Sequence, residues 1–512
     1  MIKIKANDFA RDTVLFGVSL LLLLTANFIT VFGGDCWKYG VNIMLIAMIM
    51  LNVSIFSSLI TSIRRDFALL VFVGAFDLLL LGRVYNSWIN YNHKILLLLE
   101  ATSFENLFQA LQVVTVSLLS VFLAYRMAGP IFAKREKAIR ERGLGAVSHD
   151  GLVPIIRQLS EIVLFVSSIP FFYTLLLTAL NVLRHGYQSS FTSTVQIPGV
   201  ISRLAMFFVP SFAVFLATLP NKKQMKLPMV VYGVYMLSSL FTGRRTTIVT
   251  EGLMLVTYLV LRDTLLPKEK RVIKKKTVAY SGFFGVIAVY LLQLLALIRS
   301  NLNTDRGIGE MMVSFIDSQG ASFRVVIQAV NHIALFPVTT SYQYLFYPFE
   351  LFVHNNVVTR TVFGLKPIIE VQNSDFVQST HNFAHALTYM VDPDRYLSGG
   401  GFGTSYIAEA YVAYRILGVV LVSAMIGLIF RFFASMLTRN WVVITFSLLA
   451  IKNFIYLPRS FAFLWVTEVF NITYVCFFVA LYLAALLLYR VGTHIRAAQP
   501  LEKRLYGMEE TL

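Results

Sequence analysis

Between Arg299 and Arg415 this chain concentrates histidines, carboxylates and glycines whose types limit the chemistry available to it. His381 and His385 stand four residues apart, so on a helix they point the same way. An imidazole titrates near neutral pH, which suits either one to general base work, although a hydrogen-bonded structural histidine is an equal alternative for each. As zinc ligands they lack the glutamate of an H-E-x-x-H pattern and a clear third partner. Asp392-Pro393-Asp394 has the D-x-D form used by metal-dependent glycosyltransferases, but a proline-centred acidic turn arises easily by chance, so no metal is assigned. The run Gly399 to Gly403 leads into Thr404-Ser405 and on to Glu409. Glycines let the backbone approach a ligand closely, and Thr404-Ser405 reads as the N-cap of a helix that runs from Tyr406 into an apolar span. The free N–H groups of that helix start suit an anion. Glu409 shares a face with Ser405 and can take a proton from a sugar hydroxyl or hydrogen-bond to it; a hinge followed by a capped helix is the plainer alternative.

Cations that could hold a phosphate lie on both sides of this stretch. Gly243-Arg244-Arg245-Thr246 falls in a tight hairpin between two apolar runs, where two guanidiniums at a helix N-terminus make an anion site. Arginines also snorkel at span ends, which is the competing explanation. Glu251 follows Arg244 by seven residues, close to two helical turns, and a carboxylate inside a span needs a partner such as an arginine or a wet cavity. Asp77 and Glu468 pose the same question. Lys452 and Arg459 flank a short turn at Tyr456-Leu457-Pro458.

The elements that must position these groups are membrane spans. The 512 residues are 57% hydrophobic and 14% charged, with a mean hydropathy of +0.69, which excludes an ordinary soluble protein. Twelve apolar runs long enough to cross ~30 Å of hydrocarbon lie near 13–33, 41–61, 67–84, 106–125, 160–182, 199–219, 227–243, 246–261, 278–298, 416–437, 441–457 and 464–489. The first reads as a retained helix and not a signal peptide, because no small-residue cleavage pattern follows it. Basic residues cluster in alternate gaps, among them Arg64-Arg65, Arg126 to Arg142, Lys222 to Lys226 and Arg262 to Lys276. The positive-inside rule puts these gaps and both termini in the cytoplasm. The net charge of +17 is therefore mostly a topology signal and does not point to nucleic acid. Cys36 and Cys476 are too few for a disulfide framework.

Three regions follow: 1–298 with spans one to nine and basic cytoplasmic loops, 299–415 as one large loop on the outer face, and 416–512 with spans ten to twelve and a cytoplasmic tail. The loop carries helical spacing over 315–333 and an aromatic stretch over 342–353 that suits a helix lying in the membrane interface. No internal repeat stands out, which disfavours transporters built from inverted repeats.

Several of these pieces, in order, resemble the O-antigen polysaccharide polymerase (Wzy) family. They are Phe241-Thr242-Gly243-Arg244-Arg245-Thr246, Asp317-Ser318-Gln319-Gly320-Ala321-Ser322, His381 to His385, Gly401 through Glu409 to Tyr411, and Leu457-Pro458-Arg459. They cover Phe241 to Arg459, while the N-terminal half matches in topology alone. The resemblance implies an all-α polytopic membrane protein of GT-C-like architecture in the bacterial inner membrane. It would move a growing glycan from undecaprenyl diphosphate onto the non-reducing sugar of a new lipid-linked repeat unit at the periplasmic face. A lipid diphosphate is already a good leaving group, so such a site needs cations more than a metal or other cofactor. Arg244, Arg245, Arg299, Arg324 and Arg459 are the expected diphosphate ligands, assisted by Thr404 and Ser405. His385 or Glu409, ahead of His381 and Asp375, is the expected base. The expected partners are the undecaprenyl-diphosphate-linked oligosaccharide, membrane lipid and a chain-length regulator protein.

Two competing functions share this topology. An O-antigen ligase would pass the glycan to a lipid A core instead of to another repeat unit. A flippase for lipid-linked oligosaccharide would need charges along a central path in both halves of the chain, whereas here they gather on one face.

Overall fold

The computed structural model of the chain describes residues 6–91, 94–132, 151–185, 197–242, 245–266, 307–336 and 339–498, together with positions 271, 273, 290, 293 and 294. Among the described residues the regular elements are all helical, and the chain is an all-α polytopic membrane protein. Ten helices there are long and apolar enough to cross a membrane, and they fall on ten of the twelve expected runs. The run at 246–261 forms a helix, Arg245–Thr264, but Glu251, Arg262 and Asp263 leave it too charged to count with the others. The run at 278–298 lies almost wholly outside the described residues.

The chain divides into two compact units, the first made of Met1–Lys137, Thr250–Ser435 and Ala450–Glu468, the second of Ala138–Val249, Met436–Leu449 and Val469–Leu512. In the second unit, the long Leu152–His185 helix stacks Phe171 on Phe208 at 4.4 Å, and Phe212 stacks on Tyr232 at 3.9 Å. Asn221 starts the Lys222–Ser238 helix with a capping box: its side chain accepts from the N–H of Lys223 and Gln224, and Gln224 accepts from the N–H of Asn221. Arg157 donates to the Thr218 carbonyl at 2.6 Å, which ties off the preceding turn.

The first unit carries the polar segment and is built on close helix contacts. Any side chain at Gly427 would overlap the Val121 carbonyl, so glycine is what lets the Tyr406–Phe433 helix lie against Phe104–Met127. At that contact the Ser117 hydroxyl bonds the Tyr406 phenol at 2.7 Å and the Ser423 hydroxyl at 2.8 Å. Seventeen residues of unbroken helix would hold Tyr406 and Ser423 ~25 Å apart, yet both reach one serine.

The helix breaks and reverses at Tyr414 (φ −142°, ψ 28°) and Arg415 (φ 53°, ψ −143°). Residues 406–413 therefore form a short buried arm that doubles back along 416–433, with Gly418 pressed against the Ala410 carbonyl. This corrects the expectation of one helix running from Tyr406 into a span. A non-glycine residue in the positive-φ conformation costs about 1–3 kcal/mol. Here the turn is stabilised by Arg415 over the Tyr411 ring at 5.8 Å and by Ser341, which donates to the Ala413 carbonyl at 3.4 Å.

The segment before the arm is a set of short helices: Ile308–Gln319, Phe323–Asn331, Tyr342–Asn355, Val357–Phe363, Ser374–Ser379, Phe383–Val391 and Pro393–Leu397. The expected helix over 315–333 is interrupted at Gly320, where a side chain would run into the Arg83 backbone. Asp317 accepts from Arg83 at 3.1 Å and from Asn86 at 3.2 Å, so this motif docks on the Gly82–Tyr91 helix.

Candidate functional site

The two histidines do not share a helix face. Asn382 caps the Phe383–Val391 helix, which leaves His381 ahead of its first turn and His385 inside it. His381 Nδ1 meets Glu350 Oε2 at 3.1 Å. His385 is half-buried, with Phe376 against its ring at 4.7 Å and its Nδ1 at 2.9 Å from the Tyr396 phenol oxygen. The Tyr396 O–H points to the Asn373 carbonyl at 3.4 Å. When the phenol gives its one proton to the Asn373 carbonyl, the Tyr396 oxygen accepts from His385 Nδ1–H and Nε2 keeps its lone pair. Burial holds the imidazole below the usual histidine value, and the opposing pull of the Glu370 carboxylate is smaller. A value lowered from the ordinary ~6.5 leaves the imidazole neutral at neutral pH.

The helix bearing His385 is registered by a chain of bonds. Tyr347, whose phenol is pushed up by burial, donates to Glu370 at 2.7 Å, and Asn382 donates to the same carboxylate oxygen at 3.2 Å. One turn beyond His385, the Thr388 hydroxyl accepts from the Phe402 N–H at 3.1 Å, which pins the glycine run. Gly399 (φ 88°) and Gly403 (φ 82°) take conformations that other residues rarely adopt, so the run can bend around Phe402.

Two guanidiniums face the Phe402 ring, Arg324 at 4.3 Å and Arg395 at 4.9 Å from its centre. Arg324 also pairs with Glu100 at 2.6 Å, and its buried Nε–H has no hydrogen-bond partner among the described residues. Burial lowers the pKa of Arg324, with the Glu100 carboxylate opposing, but a guanidinium stays charged at any biological pH.

Beyond the run, Thr404 donates to Glu409 Oε1 and the Ala462 N–H donates to Oε2 at 2.9 Å. Glu409 is fully buried, with both oxygens held by the fold. Ser405 occupies the N-cap position of the arm but makes no capping bond, and its buried hydroxyl has no partner among the described residues. Ala462 lies three residues past Arg459, which is exposed on the turn Leu457–Arg459. That turn is held from the other side by Phe461 against Tyr347 at 5.6 Å and Phe463 stacked on Phe346 at 5.4 Å.

The structure thus gathers His381, His385, Arg324, Thr404, Ser405, Glu409 and Arg459 within the first unit. Arg244 and Arg299 lie outside the described residues; Arg245 opens the Arg245–Thr264 helix. Glu251 is buried and pairs with Lys452 at 2.8 Å, a lysine where an arginine or a wet cavity was expected. Asp392 caps the Pro393–Leu397 helix through the Arg395 N–H, and both Asp394 and Asp375 are exposed. No group of three or more His, Cys, Asp or Glu able to hold a metal occurs among the described residues.

Tyr396, Arg395, Phe402, Glu350 and Glu370 belong to the same assembly and were not singled out in the sequence. Glu350 did carry a signal, as the lone carboxylate within the aromatic stretch 342–353.

No curated protein and no solved structure matches the chain. The family model for O-antigen polysaccharide polymerase Wzy matches residues 14–491, nearly the whole length and well beyond the half that carries the motifs. The chain belongs to the O-antigen polysaccharide polymerase Wzy family.

Proposed function

We propose that this polymerase works at the periplasmic face of the bacterial inner membrane on undecaprenyl-diphosphate-linked repeat units, through the site built around His385 and Phe402. The positive-inside distribution supports cytoplasmic termini and a periplasmic 299–415 loop, and the gathering of helices around that loop is compatible with a GT-C-like plan. A hydroxyl of the acceptor's non-reducing sugar attacks the anomeric carbon of the donor glycan. The bond from that carbon to the diphosphate oxygen breaks, and undecaprenyl diphosphate leaves with the electron pair. The hydroxyl proton passes to His385 Nε2, the nitrogen left free by the bond to Tyr396.

Arg324, Arg395 and Arg459 hold the negative charge that builds on the leaving diphosphate. The unpartnered Arg324 N–H and the Ser405 hydroxyl are donors that a diphosphate would satisfy. Glu409 acts by position, joining the start of the arm to the turn that carries Arg459. His381 belongs with Glu350 on the acceptor side of the site.

The observation that carries this reading is the continuous array from Tyr396 through His385 and Thr388 to Phe402 and its two guanidiniums. Purified full-length protein, given lipid-linked repeat units in EDTA, is expected to produce a ladder of polymer. Arg324→Ala should abolish that ladder while the protein remains folded. A ladder of wild-type length from Arg324→Ala would overturn the placement, and no ladder from the wild type would overturn the reaction.

A further inference from the structure

The Tyr342–Asn355 helix does more than hold the site. It forms one wall of a cleft of about 430 Å³, lined by Tyr342, Gln343, Phe346, Phe349, Glu350, Val353, His354 and His381. That volume falls in the ~300–1,000 Å³ range of small-molecule sites. We propose that this cleft binds the non-reducing sugar of the acceptor, with Glu350 and His381 gripping its hydroxyls and Phe346 and Phe349 bearing its apolar face. The assignment rests on the polymerase reading above and names which substrate occupies this part of the site.

Three features point to a sugar. The rings are fixed from behind: Phe463 lies parallel to Phe346, at an interplanar angle of 7° and 5.4 Å, and contacts Phe349 at 5.6 Å. Phe346 is nonetheless 41% exposed, so a rigid aromatic face stands open to the cleft. The polar end holds a carboxylate and an imidazole 3.1 Å apart, a pair that both accepts and donates, as a ring of hydroxyls requires.

The charge also discriminates between substrates. A carboxylate in the cleft disfavours a diphosphate, whereas Arg324 and Arg395 gather at Phe402. The acceptor's sugar and the donor's leaving group are thereby assigned different places.

The cleft is registered to the base. Glu350 lies one turn after Tyr347, whose phenol bonds Glu370, and Glu370 accepts from Asn382, the cap of the helix that carries His385. His381 is the residue immediately before that cap. A sugar held by Glu350 and His381 is thus set at a fixed distance from His385, and the hydroxyl it presents decides the linkage formed.

The test uses full-length protein in lipid nanodiscs with two probes. One is the lipid-linked repeat unit extracted from the host. The other is the methyl glycoside of the same repeat unit, which has no diphosphate and serves as acceptor alone. Phe349→Leu keeps an apolar side chain and removes the ring, and Glu350→Gln keeps the shape and removes the charge. With the methyl glycoside in excess, so that it is the acceptor and the lipid-linked unit serves as donor, each is expected to raise KM for the methyl glycoside at least tenfold with the donor KM unchanged. Saturation-transfer NMR contacts between protein and glycoside should weaken in parallel. An unchanged acceptor KM, or an equal rise for donor and acceptor, overturns the cleft assignment. If the wild type makes no polymer, the polymerase reading fails, and loss of the glycoside's NMR contacts in the two variants alone would still support the cleft.

Discussion

Replacing Tyr396 with phenylalanine removes one oxygen and almost nothing else. The ring keeps its packing against Tyr389 at 5.5 Å and against His385 at 5.5 Å, so the fold should persist. What disappears is the 2.9 Å bond between the phenol and His385 Nδ1, together with the 3.4 Å bond from the phenol to the Asn373 carbonyl. A half-buried N–H left without a partner costs about 1–3 kcal/mol. That cost falls on the tautomer with its proton on Nδ1, the one in which the proposed mechanism uses Nε2 as the base. At ~1.4 kcal/mol per tenfold change in rate, kcat should drop about 5- to 150-fold. The donor's diphosphate does not touch this bond, so its KM should hold, the pattern of an interaction used only in the transition state. Steady-state kinetics of nanodisc-embedded protein on lipid-linked repeat units separates the two constants. A Tyr396→Phe enzyme with kcat within twofold of wild type, at equal protein level, would refute the assignment of Nε2 as the base.

Three further expectations follow from the same geometry. Glu409→Gln offers only one accepting oxygen to the two donors Thr404 and Ala462, so thermal unfolding in detergent should show a loss of about 1–3 kcal/mol; an unchanged unfolding temperature would contradict the anchoring role. Gly320→Ala puts a methyl into the Arg83 backbone and should destabilise the first unit by about 1–3 kcal/mol, read by limited proteolysis of membranes; wild-type resistance would show that the contact can relax. Because burial lowers the pKa of His385, polymerisation should hold steady through neutral pH and fall only as acidification passes below the ordinary histidine value of ~6.5. The same sign applies to stability. The unfolded chain takes up the proton first, so the contribution of neutral His385 is full above ~6.5 and declines as pH falls toward the folded value. A kcat–pH profile whose acid limb lies above ~6.5 would contradict the buried, neutral imidazole.

Much of the frame was legible because span length is a strong constraint: an apolar run either reaches across ~30 Å or does not. The helix at Tyr342–Asn355 was legible for a related reason, since its aromatic spacing marks one buried face and one open face. The reversal at Tyr414–Arg415 was not, because local propensity across Tyr-Arg-Ile-Leu favours continued helix. Only the tertiary contacts of Ser117, Ser341 and Gly418 make the turn favourable. The histidine spacing misled for the opposite reason. Asn382 is a strong cap, and a helix that begins after it leaves His381 free to turn toward Glu350. Glu409 was recognisable as important, but its confinement between Thr404 and Ala462 depends on residues 53 positions apart. The partners Tyr396, Glu370 and Phe402 owe their place to such long-range pairings, which periodicity cannot report.

The most direct test is the rate of lipid-linked polymer formation by His385→Ala in membranes, at a protein level and unfolding temperature matched to wild type. Loss of a general base should lower the rate by about 10²–10⁴-fold and flatten the acid limb of the pH profile. A ladder of normal length, formed at the normal rate and with the acid limb intact, would contradict the assignment of His385 as the base.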